Sequence, residues 1–120
     1  MDQQIPKQLQ DKLAQFQNLQ SQMQITTMQK QQIFLQSAEI DSALAALGTA
    51  GSEKIYRAAG PLLVETTKEA SEKKLKDDKE LAETRIKMLE KQEKKMGEKM
   101  EELRSEIQDM MKPMDGTGAV

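Results

Sequence analysis

The stretch Ile86-Lys87-Met88-Leu89-Glu90-Lys91-Gln92-Glu93-Lys94-Lys95-Met96-Gly97-Glu98-Lys99-Met100-Glu101-Glu102-Leu103-Arg104-Ser105-Glu106-Ile107-Gln108-Asp109-Met110 decides the fold. Its apolar residues recur in steps of three and four, with lysines and glutamates between them. An apolar period of about 3.5 residues gathers those side chains on one helix face and makes the a/d seam of a coiled coil. Upstream the same two series continue, giving Leu75, Ala82, Leu89, Met96, Leu103, Met110 and Glu72, Lys79, Ile86, Glu93, Met100, Ile107. A second seam precedes it in the chain. One of its series runs Leu9, Phe16, Met23, Lys30, Ser37, Leu44, and the companion runs Ile5, Lys12, Leu19, Thr26, Ile33, Ile40, Leu47. Folding the chain between Ala59 and Gly60, so that facing residue numbers sum to 119, sets Leu9 against Met110, Phe16 against Leu103, Met23 against Met96 and Ile33 against Ile86. Every a position then meets a d position, as in an antiparallel coiled coil.

Composition narrows the function classes. With 120 residues the chain has the length of one domain. Charged residues make up 32%, and aromatics only 2%, too few to organise a compact globular core. Cysteine and histidine are absent, which removes disulfides, thiolate chemistry, cysteine or histidine zinc sites and histidine acid–base catalysis. The formal charge of −2 comes without a basic block, so nucleic acid is not an expected partner. No apolar run approaches the roughly 20 residues of a membrane span and the N-terminus has no signal-peptide core, so no membrane association and a cytoplasmic location are expected. An enzyme is not expected either. Gly48-Thr49-Ala50-Gly51 is too short for a phosphate loop and lacks its lysine. The carboxylates alternate with lysines along a solvated helix face. No cofactor or metal is implied.

Punctuation divides the chain into helix 1 over 5–47, a linker and hairpin over 48–66, helix 2 over 67–112 and a loose tail over 113–120, all in one domain. Pro6 suits a first helical turn and Gly48 a C-cap. Thr66 with Glu69 has capping-box spacing, and Pro113 marks the stop of helix 2. Between the helices, Lys54-Ile55-Tyr56-Arg57-Ala58 and Leu62-Leu63-Val64-Glu65 flank Gly60-Pro61 and predict a β-hairpin. The fold class is therefore mainly α, two long antiparallel helices joined by a short β-hairpin. A plain helical hairpin needs a loop of only about two to five residues, far less than the chain spends here. Leu62, Leu63 and Val64 are consecutive, so both faces of their strand need cover. The hairpin either simply reverses the chain or assembles with other subunits through Ile55, Tyr56, Leu62, Leu63 and Val64. Assembly explains the extra residues better.

The hairpin segment Lys54 to Val64, followed by Leu81-Ala82-Glu83-Thr84-Arg85-Ile86-Lys87-Met88-Leu89-Glu90-Lys91-Gln92-Glu93, closely resembles the beta-type subunits of archaeal prefoldin, and the likeness extends from Ile5 to about Met111. The resemblance implies a hetero-hexamer of two alpha-type and four beta-type subunits. Their hairpins would form an oligomeric β-barrel body from which the coiled coils hang. It further implies an ATP-independent chaperone that holds unfolded proteins and delivers them to a group II chaperonin, with the end of helix 2 a candidate contact for that partner.

The residues add a mechanism of their own. Outward from Met23 and Met96 the seam is apolar except for Lys12, whereas the inner layers contain Thr26, Lys30, Ser37, Glu72, Lys79 and Glu93. Ile5, Leu9, Leu13, Phe16, Leu103, Ile107, Met110, Met111 and Met114 thus form an apolar set at the free ends and are the candidate client-binding residues. Unbranched, polarizable methionine suits contacts with chains of no fixed sequence. The same residues also read as plain coiled-coil core, and the two roles are compatible. A passive coiled-coil scaffold without client binding is the competing function.

Overall fold

A computed structural model describes residues 6–115, with side chains described for residues 6–112. Helix α1 spans Lys7–Thr49, strand β1 Ile55–Ala59, strand β2 Leu62–Thr66 and helix α2 Lys68–Asp115. The chain forms two compact units. The terminal unit comprises residues 1–29 and 89–120, and the hairpin unit residues 30–88.

Each unit is built on the predicted seam. In the terminal unit the buried side chains are Leu9, Thr26, Leu103 and Ile107; in the hairpin unit they are Leu47, Ala82 and Ile86. All are a or d residues, and the other described a and d positions are half-buried. Contacts between the helices hold the expected register. Lys12 reaches Glu106 and Thr27 reaches Glu93 in the terminal unit, while Asp41 reaches Lys79 in the hairpin unit. Each pair falls within one of the facing sum of 119. The side chains pack in this way because the a/d stripe is the one continuous row of mainly apolar residues on each helix.

The helix ends differ from the expectation, and at the end of α1 and the start of α2 the reason is a local hydrogen bond. Pro6 lies just before α1, its carbonyl accepting the first helical bond from Gln10 N–H at 3.0 Å. Gly48 does not cap α1, which continues to Thr49. There the Ala50 N–H bonds the Leu47 carbonyl at 3.1 Å and the Thr49 hydroxyl bonds the Ala46 carbonyl at 3.1 Å. Two orphan carbonyls are thereby satisfied without a left-handed residue. The cap of α2 is Thr67 instead of Thr66. Thr67 Oγ1 accepts the Ala70 N–H at 3.1 Å, while Thr66 completes β2 opposite Ile55. Pro113 does not stop α2, whose backbone stays helical to Asp115. Proline removes one N–H donor but holds φ near the helical value, so a last partial turn can follow it. Of the expected loose tail, 116–120 lies outside the described residues.

Gly97 sits in the terminal unit inside α2. A Cβ placed there would meet only Met23 Cε, at 3.7 Å, an ordinary van der Waals contact. Gly97→Ala is therefore expected to stabilise the coiled coil by about 1 kcal/mol, the helix-propensity difference. Thermal unfolding would show this as a higher midpoint; a lower one would mean that the helices pack too closely at Gly97 for any side chain.

Candidate functional site

In the terminal unit the predicted client residues separate by burial. Leu9, Leu103 and Ile107 are among the most buried side chains of the chain, with Leu103 only 1% exposed. Phe16 and Met110 are half-buried on the seam, and Leu13 is half-buried beside it. Met111 is open, at 48% exposure. Ile5 lies outside the described residues, as does the side chain of Met114, whose backbone belongs to α2. Of the predicted set, the described residues that reach water are thus Leu13, Phe16, Met110 and Met111, an apolar rim beside the sealed Leu9, Leu103 and Ile107. Such a rim can contact apolar segments weakly without specifying their sequence.

Lys12, the single polar residue in this part of the seam, is held by an ion pair. Its Nζ donates to Glu106 Oε1 at 2.9 Å. This hydrogen bond holds the Glu106 carboxyl below its ordinary value of 4.5, against a partial desolvation that works the other way. A depressed carboxylate contributes stability that is present above its unfolded pKa and lost as pH falls through the folded one. The hairpin unit has the mirror case. Asp41 bonds Lys79 Nζ at 2.7 Å and raises the lysine above 10.5. That contribution is complete below 10.5 and lost as pH rises through the raised value. Stability from these two pairs should therefore be flat between roughly pH 5 and 10 and fall outside it. Lys12→Met should remove the Glu106 part of the acid-side loss in pH-dependent unfolding curves; an unaltered acid limb would show that the ion pair is not formed in solution.

The hairpin unit carries the second surface. Strands β1 and β2 pair antiparallel, Ile55 with Thr66 and Ala59 with Leu62, leaving Gly60-Pro61 as a two-residue turn. Gly60 has φ +60°, a conformation that costs glycine little and that begins the tight primed turns of hairpins, while the fixed φ of Pro61 suits the second position of a type II′ turn. Cross-strand pairing puts Arg57, Val64, Ala59 and Leu62 on one face and Tyr56, Ala58, Leu63 and Glu65 on the other. Both faces are open. Leu62 is 65% exposed and Leu63 72% exposed, and Tyr56 and Val64 are also accessible. Of the five expected assembly residues, only Ile55 is half-buried.

Some exposed apolar side chains went unpredicted. Ile25 and Met28 in the terminal unit, and Leu35, Leu81 and Met88 in the hairpin unit, are more than half exposed on the helices. They lie off the a/d seam, where the heptad reading places solvated residues. A signal was available, because Met28 and Leu35, like Leu81 and Met88, stand seven residues apart and so repeat one outer helix position. No described helix is long and apolar enough to cross a membrane.

Comparison with known proteins is consistent across the chain. The model of the prefoldin subunit family matches residues 10–113. Prefoldin subunit beta of Thermococcus kodakarensis is 38% identical over 112 residues, covering 92% of this chain and 96% of the relative. Prefoldin subunit beta of Pyrococcus horikoshii is also 38% identical over 112 residues, with the same coverage of 92% and 96%. The crystal structure of the prefoldin beta subunit from Thermococcus strain KS-1 superposes with a TM-score of 0.82 at 37% identity, over 93% of this chain and 99% of that one.

Proposed function

Because the chain belongs to the prefoldin family, as a beta-type subunit, we propose that it works as an ATP-independent holdase: it captures unfolded polypeptides at the free ends of its coiled coil and delivers them to a group II chaperonin. The family is one of chaperones and not of enzymes, so the chaperone class is the premise and the mode of action the proposal. What supports it most is the half-open apolar rim of Leu13, Phe16, Met110 and Met111, at the ends of helices whose other exposed positions are mostly glutamine in α1 and lysine or glutamate in α2.

The open hairpin supports a role within a larger assembly. Two strands alone are marginal in water, and Leu62, Leu63, Val64 and Tyr56 would remain wet in a monomer. Assembly with an alpha-type subunit, two of those to four of this chain, would close the hairpins into a β-barrel. Several client-binding ends would then act from one body in the cytoplasm. Neither nucleic acid nor membrane enters this reading. The test is light scattering of a chemically denatured client diluted into buffer with the assembled protein. Suppression of aggregation should be equal with and without ATP; a requirement for nucleotide would contradict the mechanism.

A further inference from the structure

The described methionine side chains fall into two groups. Met23, Met96, Met100 and Met110 stand on the a/d seam and are half-buried, and the methyl of Met23 lies only 3.7 Å from where a Cβ on Gly97 would stand. Met28, Met88 and Met111 are open to water. Of these three, Met111 alone belongs to the apolar rim. Met28 lies off the seam in the terminal unit and Met88 off the seam in the hairpin unit. The chain has no cysteine and no tryptophan, so its thioethers are the side chains that a peroxide attacks most readily, and exposure sets the order in which they react. Beside Met111 the charges are engaged with each other, Lys112 pairing with Asp109 at 3.7 Å. A chemical change at Met111 therefore alters the rim and leaves the seam and its ion pairs as they are.

From this we infer that Met111 is an oxidation site that controls the grip on clients: a peroxide converts its thioether to the sulfoxide before the seam methionines react, and the rim then holds unfolded chains less well while helices and assembly persist. The inference rests on the holdase reading above and adds a modification to it. In the reaction the sulfur attacks one peroxide oxygen. The O–O bond breaks, an S–O bond forms, and the proton of the transferred oxygen passes to the leaving one. Sulfur loses two electrons, and hydrogen peroxide is reduced to water. The product is a polar group where an unbranched, polarizable apolar chain stood. Covering that oxygen with an apolar client segment costs free energy, because no hydrogen-bond donor comes with the client to meet it. The loss at one end is modest, but ends that act together from one body compound it. The open Met28 and Met88 react as well, without consequence for the grip, because they lie away from the rim.

The test treats the assembled protein with a limited dose of hydrogen peroxide, quenches it, and maps the sulfoxides by peptide mass spectrometry. Circular dichroism and sedimentation follow the helices and the oligomer, and light scattering of a denatured client follows protection, each protein being compared with its own untreated sample. Met28, Met88 and Met111 should convert before Met23, Met96 and Met100. The concentration needed for half-protection should rise on the order of tenfold, with helicity and oligomer unchanged, and methionine sulfoxide reductase should reverse the loss. Met111→Leu should remove most of the peroxide effect, whereas the double variant Met28→Leu, Met88→Leu should remain as sensitive as the wild type. The inference is overturned if complete conversion of Met111 leaves protection unchanged, or if Met111→Leu loses as much protection on treatment as the wild type does. An untreated assembly that fails to protect the client would defeat the holdase reading and this role together. If the untreated assembly protects and Met111→Leu stays fully sensitive, the holdase reading stands and only the role of Met111 falls.

Discussion

Replacing Leu63 and Val64 together with aspartate is expected to yield a helical monomer. These neighbours point to opposite faces of β2, Leu63 lying across from Ala58 and Val64 across from Arg57. Both are exposed in the single chain, at 72% and 41%, so the substitutions cost the monomer little. In an assembly that covers both faces, each carboxylate would enter an apolar contact. The effective penalty is several kcal/mol per unpaired ion, more than enough to dissociate an oligomer at micromolar concentration, where each 1.4 kcal/mol is tenfold in affinity. The helices pair within one chain through Leu9, Leu47, Ile86, Leu103 and Ile107, so circular dichroism should keep its helical amplitude. Sedimentation should shift from oligomer to monomer. A full oligomer with both aspartates in place would show that assembly does not use the hairpin.

The seam was legible in the sequence because burial in a two-stranded coiled coil depends on period alone. A strict alternation of three and four leaves one apolar stripe, and the buried residues from Leu9 to Ile107 all lie on it. The hairpin was legible through Gly60-Pro61, since few dipeptides fit both positions of a primed turn. Element ends were less legible. Thr66 and Thr67 offer the same hydroxyl, and the pairing of Thr66 with Ile55 leaves the cap to its neighbour. Gly48 fits a left-handed cap, but the Thr49 hydroxyl and the Ala50 N–H close α1 without one. At the candidate site the periodicity could not tell core from rim. Leu103 and Met110 belong to one heptad series, yet the first is sealed and the second half-open, and on α1 Leu9 is sealed and Phe16 half-open, a difference that the period does not carry. The exposed Leu81 and Met88 lie outside the a/d period, so the seam pattern does not mark them.

Removing residues 1–9 and 110–120 is expected to leave the oligomer assembled and to abolish most of its protection of unfolded clients. The deletion takes Met110 and Met111 from the rim, together with Leu9 from the core and the segments that contain Ile5 and Met114. It spares the hairpin, which belongs to the other unit. In the proposed mechanism each end grips weakly, and several acting from one body would multiply affinity by about 10² to 10⁴ when geometry allows them to bind together. Weakening each end a few-fold is therefore compounded across the assembly. Release in the proposed mechanism would need no nucleotide, because every single contact would be weak and reversible. Polar substitution of Leu13 and Met111, which leaves the buried seam intact, should reproduce the loss in milder form.

The proposed function stands on the ends of the coiled coil holding the client. Its most direct measurement is light scattering of a denatured client diluted into the truncated protein, with sedimentation confirming in the same sample that the protein remains a full oligomer. Client aggregation should rise close to the level seen without chaperone. Protection equal to that of the full-length assembly would contradict the claim and favour a passive coiled-coil scaffold.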